Sequence, residues 1–300
     1  MTRMRTFVWA VGIAAFGCGD EGTAPVLPGS PIADAHLRIG FTSTRDGNLE
    51  VYSMKADGSD IQRLTNNPGS DHNADWSPDG TRIAFMGFRD GDYEIYVMNA
   101  DGSGIRQLTH NTRIHDGFPR WSPDGLEIMF TSLRDGSFEV YVMSSFGGNE
   151  RRLTPTPTDD IGGAWSPDGS KIAFSSGRDG NMEVYVMDAN GANPVRLTNH
   201  IAEDGSRLAW SGDGSRNVFS SFRDDNDEIY VMNADGTNLR RMTDHPGIDR
   251  YPAWSPDGQR LAFSSNRDGN DEIYVMNADG SGLTRLTNNG ATDFLDSWNR

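Results

Sequence analysis

Cysteine is nearly missing from this chain: Cys18 is the only one in 300 residues, which excludes an internal disulfide framework. Long apolar runs are missing too. The one near the N-terminus, Phe7 to Phe16, is too short to span a bilayer, and no other stretch is long enough. Positive charge is scarce, with 27 Lys and Arg against 43 Asp and Glu and a formal net charge of -16. No run of Lys or Arg stands anywhere, so the chain repels phosphate and has no means of releasing counterions. Nucleic acid is thereby excluded as a partner, while basic proteins, cations and neutral sugars stay open. The same acidity also serves solubility. Two further absences matter. There is no 3.6-residue apolar periodicity, which excludes a helical repeat, and no G-x-S-x-G, which excludes the nucleophile elbow of a hydrolase.

What is present begins with a leader. Arg3 and Arg5 precede the apolar stretch, so residues 1–17 are expected to be a secretion signal and the protein to be exported. Ala15-Phe16-Gly17-Cys18 resembles a bacterial lipobox, which marks Cys18 for lipidation; ordinary cleavage at the A-x-G site is the competing reading, because the lipobox usually has Leu and a small residue where Ala15 and Phe16 stand. Residues 18–36, rich in Pro and Gly, read as a flexible tether. Without the leader, 25 basic residues face 43 acidic ones, a net charge of -18.

The rest is one unit repeated. Trp76, Trp121, Trp165, Trp210, Trp254 and Trp298 are spaced 45, 44, 45, 44 and 44 residues apart. Arg45, Arg89, Arg134, Arg178, Arg223 and Arg267 keep the same rhythm, each followed by Asp. Within one unit, residues 118–122 around Trp121 predict a strand A, and Ser122-Pro123-Asp124-Gly125 supplies the fixed and positive φ of a tight turn. Residues 127–132 and 138–144 predict strands B and C about the turn Arg134-Asp135-Gly136. A fourth strand, clearer as 105–109 of the neighbouring copy, follows Asn99-Ala100-Asp101-Gly102. Strands such as Ile172-Ala173-Phe174 are apolar on both faces, as expected when each sheet is covered on both sides. Four short antiparallel strands per repeat predict an all-β fold, a closed six-bladed β-propeller over residues 37–300. Residues 38–41 begin with a strand B and the last strand is an A, so the C-terminal strand around Trp298 is expected to complete the first blade.

Trp-Ser-Pro-Asp-Gly, then Ile-Ala-Phe, Arg-Asp-Gly, Glu-Ile-Tyr-Val-Met-Asn-Ala-Asp-Gly and Arg-Leu-Thr resemble the PD40, WD40-like repeat of TolB-like propellers over roughly residues 37–298. The repeat is complete at Trp76, Trp165 and Trp254, whereas Ser211-Gly212-Asp213-Gly214 lacks the Pro. The resemblance implies an exported scaffold that binds partner proteins at the cell envelope, without the additional α/β domain that TolB proteins carry ahead of the propeller. It also implies no cofactor and no catalysis.

A residue present in every blade serves the blade, so the six Trp, the six Arg-Asp pairs and Glu50, Glu94, Glu139, Glu183, Glu228 and Glu272 are assigned to the scaffold. Arg and Glu five apart are expected to be able to pair. Asp71, Asp116, Asp160, Asp249 and Asp293 each stand five residues before a Trp, with Asp204 one position earlier in its blade. Two readings stand: a ring of carboxylates around one mouth of the channel, or Asp residues capping their own loops. Beside them the repeat lapses, at His72 and Asn73, Gly117 and Phe118, Ile161 and Gly162, Ser206 and Arg207, Arg250 and Tyr251, Phe294 and Leu295. Of these, His72, Phe118, Arg207, Arg250, Tyr251 and Phe294 join the six Asp as candidate binding residues for an envelope protein or peptide, with the propeller itself monomeric and any membrane contact made only through the lipid. Alternative readings are a carbohydrate or small-ligand binder and a metal-dependent lyase or hydrolase using His72 and His115 in the channel. The Asp-rich runs at Asp90 and Asp188 lack a twelve-residue calcium loop ending in Glu and read as hairpin turns.

Overall fold

A computed structural model describes residues 37–89 and 91–299. The leader, the tether and Cys18 lie outside the described residues. Every regular element among the described residues is a strand.

Blade 1 holds β1 (Arg38–Ser43), β2 (Glu50–Lys55) and β3 (Gln62–Arg63), and blade 2 holds β4 (Asp71–Trp76), β5 (Arg82–Arg89), β6 (Asp92–Asn99) and β7 (Arg106–Gln107). Blade 3 is β8 (Asp116–Trp121), β9 (Glu127–Ser132), β10 (Glu139–Ser144) and β11 (Arg151–Arg152), and blade 4 is β12 (Asp160–Trp165), β13 (Lys171–Ser176), β14 (Glu183–Asp188) and β15 (Val195–Arg196). Blade 5 follows as β16 (Asp204–Trp210), β17 (Arg216–Ser221), β18 (Glu228–Asn233) and β19 (Arg240–Arg241), and blade 6 as β20 (Asp249–Trp254), β21 (Arg260–Ser265), β22 (Glu272–Asn277) and β23 (Thr284–Arg285). The last strand, β24 (Asp293–Trp298), pairs antiparallel with β1, giving the order β24-β1-β2-β3 and closing the ring as the repeat pattern requires.

Six apolar clusters fill the six blade interfaces, and each contains the inner-strand Trp of one blade packed against the blade before it. Trp298, for example, lies with Ile273 and Val275 of blade 6 and with Ile39 and Phe41 of its own blade. The strand-B phenylalanines Phe41, Phe85, Phe130, Phe174, Phe219 and Phe263 are fully buried, which is why those strands read as apolar on both faces. A hairpin turn accounts for the Asp-rich run at Asp188. There the Gly191 N–H donates to the Asp188 carbonyl at 2.8 Å, while Asp90 lies outside the described residues.

All inner strands run in one direction. Their Asp ends, with the D–A loops and B–C turns, form the upper face; their Trp ends, with the A–B and C–D turns, form the lower face. Each strand A is bulged, so that its register with strand B slips part-way along, a device that bends a strand and re-aims its side chains.

Candidate functional site

The six Asp residues of the upper face are buried, at 0 or 1 % exposure, and each bonds to the repeat Arg of its own blade. The pairs Arg45–Asp293, Arg89–Asp71, Arg134–Asp116, Arg178–Asp160 and Arg267–Asp249 lie at 2.8–3.0 Å, and Arg223–Asp204 is closer still. Each Arg also lies over the strand-C Tyr of its blade, at 4.2 Å for Arg89 on Tyr96. The carboxylates therefore sit inside the blades with their charge matched. Loop capping accompanies this at three of them: Asn111 Nδ2, Thr156 Oγ1 and Asn289 Nδ2 donate to Asp116, Asp160 and Asp293. Burial still outweighs the guanidinium at Asp71, whose carboxyl is pushed up to about 6, and it raises Asp116 and Asp249 in the same direction.

The expected Arg–Glu pairing five residues apart is replaced by another. Glu50, Glu139, Glu183, Glu228 and Glu272 bond instead to strand-D Arg63, Arg152, Arg196, Arg241 and Arg285, because strand C places each Glu against strand D while the repeat Arg turns inward to strand A. In blade 2 Gln107 takes the Arg position; Glu94 bonds to Thr109 and to the N–H of Asn111, and burial raises its carboxyl.

What lines the upper mouth is the variable set. The bulge puts Asn73, Phe118, Arg207 and Tyr251 in left-handed conformation, with φ of 50 to 59°. Such a φ is unfavourable for side chains of this bulk and is found where the surroundings enforce it, often at functional sites. Phe118, Arg250, Tyr251 and Phe294 are partly exposed. Tyr251 and Phe294 meet edge to face at 5.8 Å, and the Arg250 guanidinium lies 5.1 and 5.0 Å from their rings while bonding to Asp271 at 3.0 Å. On blade 2, next to the blade that carries Phe294, His72 is buried against Tyr93 at 5.2 Å, and His115 packs on the same Tyr at 5.6 Å. Burial and the nearby Arg207 charge hold the His72 imidazole down to about 3, so it is neutral at physiological pH. The two histidines flank one tyrosine. Among the described residues, no three His, Cys, Asp or Glu side chains converge to hold a metal ion.

Arg207 behaves differently from the other candidates. It extends from blade 5 past Tyr251 of blade 6, at 4.8 Å from that ring, to the inner strand of blade 1. There it donates to the carbonyls of Leu295 and Asp296 at 3.1 and 3.3 Å and faces the Asp296 carboxylate at 3.4 Å. Asp296 also accepts from Thr42 Oγ1 at 2.6 Å. This pair occupies the lumen. Below it, a cavity of about 40 Å³ between Asp75, Arg120 and the Trp residues is large enough for water but not for a sugar or peptide. Asp296 was not among the residues singled out from the sequence, although it carries a signal: the aligned residues are Ala74, Pro119, Gly163, Leu208 and Pro252.

The signature described as the TolB beta propeller domain matches residues 30–116, 106–206 and 201–299, which together span the described ring. The chain belongs to the TolB β-propeller family. The Tol-Pal system protein TolB of Geobacter sulfurreducens is 49 % identical over 43 residues, 14 % of this chain and 10 % of that protein, so the match spans only a tenth of the relative's length. Solved structures agree in fold. TolB from Acinetobacter baumannii superposes with a TM-score of 0.79 at 21 % identity, covering 87 % of this chain and 66 % of that one. A protein of Agrobacterium tumefaciens described as a TolB gives 0.72 at 22 % identity, over 87 % and 93 %. Identities this low establish the TolB-type ring and nothing finer.

Proposed function

We propose that this TolB-type propeller is an exported, monomeric, non-catalytic scaffold that binds a protein or peptide of the cell envelope at its upper mouth. In this reading the lipidated Cys18 and the tether hold the ring at the periplasmic side of a membrane. The observation that carries it is the partly exposed group Arg250, Tyr251 and Phe294, to which Phe118 adds a further aromatic across the mouth. Tyr and Arg are the side chains that dominate protein interfaces, and here the bulge holds Tyr251 in a fixed, strained pose at no further ordering cost on binding. The buried Asp71, Asp116, Asp160, Asp204, Asp249 and Asp293 hold the loops of this surface in place from beneath, and His72 is buried on the blade next to that of Phe294. The test is a pull-down from native envelope extract with the whole chain and with Arg250→Ala/Phe294→Ala. A captured partner lost from the variant, at unchanged melting temperature, supports the reading. Equal capture by both forms moves the site elsewhere, and thermal stabilisation by an oligosaccharide or a divalent metal alone replaces the scaffold with a ligand-binding or catalytic role.

A further inference from the structure

On the lower face, strand B of two blades begins with a residue that approaches the Trp of the next blade. At two interfaces that residue is an Arg stacked on the indole: Arg82 lies 4.5 Å from the Trp121 ring and Arg216 lies 4.4 Å from the Trp254 ring. Between blades 4 and 5 the corresponding cation is Lys171, and it is held elsewhere. Its cross-strand partner is Asp188, to which it bonds at 2.6 Å, whereas Arg82 and Arg216 face the neutral amides Asn99 and Asn233. Asn193 Nδ2 holds Asp188 in place at 2.7 Å. The cation is thus engaged by a carboxylate where Arg82 and Arg216 face an amide.

The consequence is a cleft of about 450 Å³ bounded by Trp210, Val186, Lys171, Asp168, Asp213 and Asp235. Val186 is half-buried there, while the equivalent Val97, Val142, Val231 and Val275 are buried. The carboxylates of Asp168, Asp213 and Asp235 each accept turn hydrogen bonds, from Ser166 and Ser170, Ser211 and Ser215, and Thr237. A carboxylate offers about four lone-pair sites, so capacity for a further donor remains. A second oddity lies alongside. Asn217, fully buried where other blades carry Ile or Leu, is paired in register with Trp210 and so shares its side of the sheet, and neither of its amide atoms has a hydrogen-bond partner.

We propose that this cleft is a binding site for a guanidinium group presented as an Arg side chain by a partner polypeptide, which takes over Trp210 the place that Arg82 and Arg216 take within the ring. Arg fits better than Lys because its planar, weakly hydrated cation lies flat on an indole and donates several bonds to carboxylates. The site is on the face opposite to the upper mouth and is independent of what binds there.

The experiment is a ¹⁵N NMR titration of the indole N–H signals of the whole chain with acetyl-Gly-Arg-Gly-amide, and with the same peptide carrying citrulline, which keeps the shape and removes the charge. The Arg peptide is expected to shift one indole signal saturably at millimolar concentration and the citrulline peptide to leave it unmoved. Asp168→Asn/Asp213→Asn, which keeps the turn acceptors, should weaken binding about tenfold. Lys171→Arg/Asp188→Asn should place an internal guanidinium on Trp210, abolish the shift and raise the melting temperature. No saturable shift, equal response to citrulline, or undiminished binding by a folded Lys171→Arg/Asp188→Asn chain overturns the proposal.

Discussion

Deleting residues 293–300 should unfold the whole ring, although it removes only one short strand. Leu295 is fully buried and Trp298 is 6 % exposed. Losing side chains of these sizes from a core costs roughly 2–5 and 3–5 kcal/mol, so the two together remove about 5–10 kcal/mol. A whole domain has a net stability of about 5–15 kcal/mol. The deletion also strips β1 of its inner ladder, leaves Arg45 without Asp293, and leaves Arg207 without Asp296. Both flanking blades lose contacts as well: Leu295 N–H donates to Ser264 Oγ of blade 6 at 2.7 Å, and Ser297 Oγ donates to the Ala74 carbonyl of blade 2 at 2.9 Å. An open solenoid that loses a terminal unit keeps its other interfaces. A ring loses two at once. Urea unfolding followed by circular dichroism should show no cooperative transition for the truncated chain. A circular permutant carrying residues 293–299 ahead of Leu37 should recover the native midpoint, because it restores the strand without the original connection. If the truncated chain unfolds cooperatively within about 1 kcal/mol of the full one, the closure argument is wrong.

The Arg–Asp pairs are expected to be structural: Asp249→Asn should cost about 1–3 kcal/mol in urea unfolding by leaving Arg267 without its carboxylate, and Asp249→Leu/Arg267→Met should cost less than the single change. An Asp249→Asn chain of unchanged stability would return the carboxylates to the pool of free binding groups. His72 should make the fold acid-sensitive. Its pKa falls from about 6.5 unfolded to about 3 folded, so its contribution is intact above pH 6.5 and is lost as the pH drops toward 3, by about 2 kcal/mol at pH 5. Asp71, raised to about 6, works the other way, contributing most below its unfolded pKa and losing that as the pH rises through 6, so the measurement is the difference between wild type and His72→Gln across pH 4–8. Superposable profiles would mean that His72 is not held neutral. Asn217→Ile should stabilise by about 1–3 kcal/mol, since both atoms of a fully buried amide lack partners; a lower melting temperature would show that the amide is satisfied in solution.

The ring was legible because its signals repeat. The Trp recurs six times and the Pro-Asp-Gly turn four, the first and last strands are complementary, and agreement among these signals overrides the ambiguity of any one short strand. Positions within a strand were harder to read. Asp71 and its counterparts precede the Trp in a way that suits a channel-facing row, but the bulge between His72 and Asp75 breaks the simple alternation on which that inference rests, and the carboxylate turns into the blade to meet Arg89. Pairing partners were misjudged for a related reason. Arg and Glu lie five apart around a hairpin, yet strand C has two neighbours, and Glu50 reaches outward to Arg63 while Arg45 reaches inward to Asp293. Contacts across the lumen, such as Arg207 with Asp296, join blades that are not adjacent and leave no periodic trace.

Departures from the repeat separate by whether the molecule answers them internally. Arg207 and Asp296 each stand where the other blades have no charge, and either alone would bury an unmatched ion; together they neutralise one another, and Thr42 completes the carboxylate. Two oddities are therefore one structural device, and neither is free for a ligand. Lys171 and Asp188 also satisfy each other, but they leave Trp210 without the stacked guanidinium that covers the indole at two other interfaces of the ring. Arg250, Tyr251 and Phe294 are answered in part, through Asp271 and through one another, and remain partly exposed in a strained inner strand. A residue that departs from its five copies and is still incompletely matched has no structural reason to persist in a ring this regular. That residue of unmatched surface, at the upper mouth and over Trp210, is where partners should be sought.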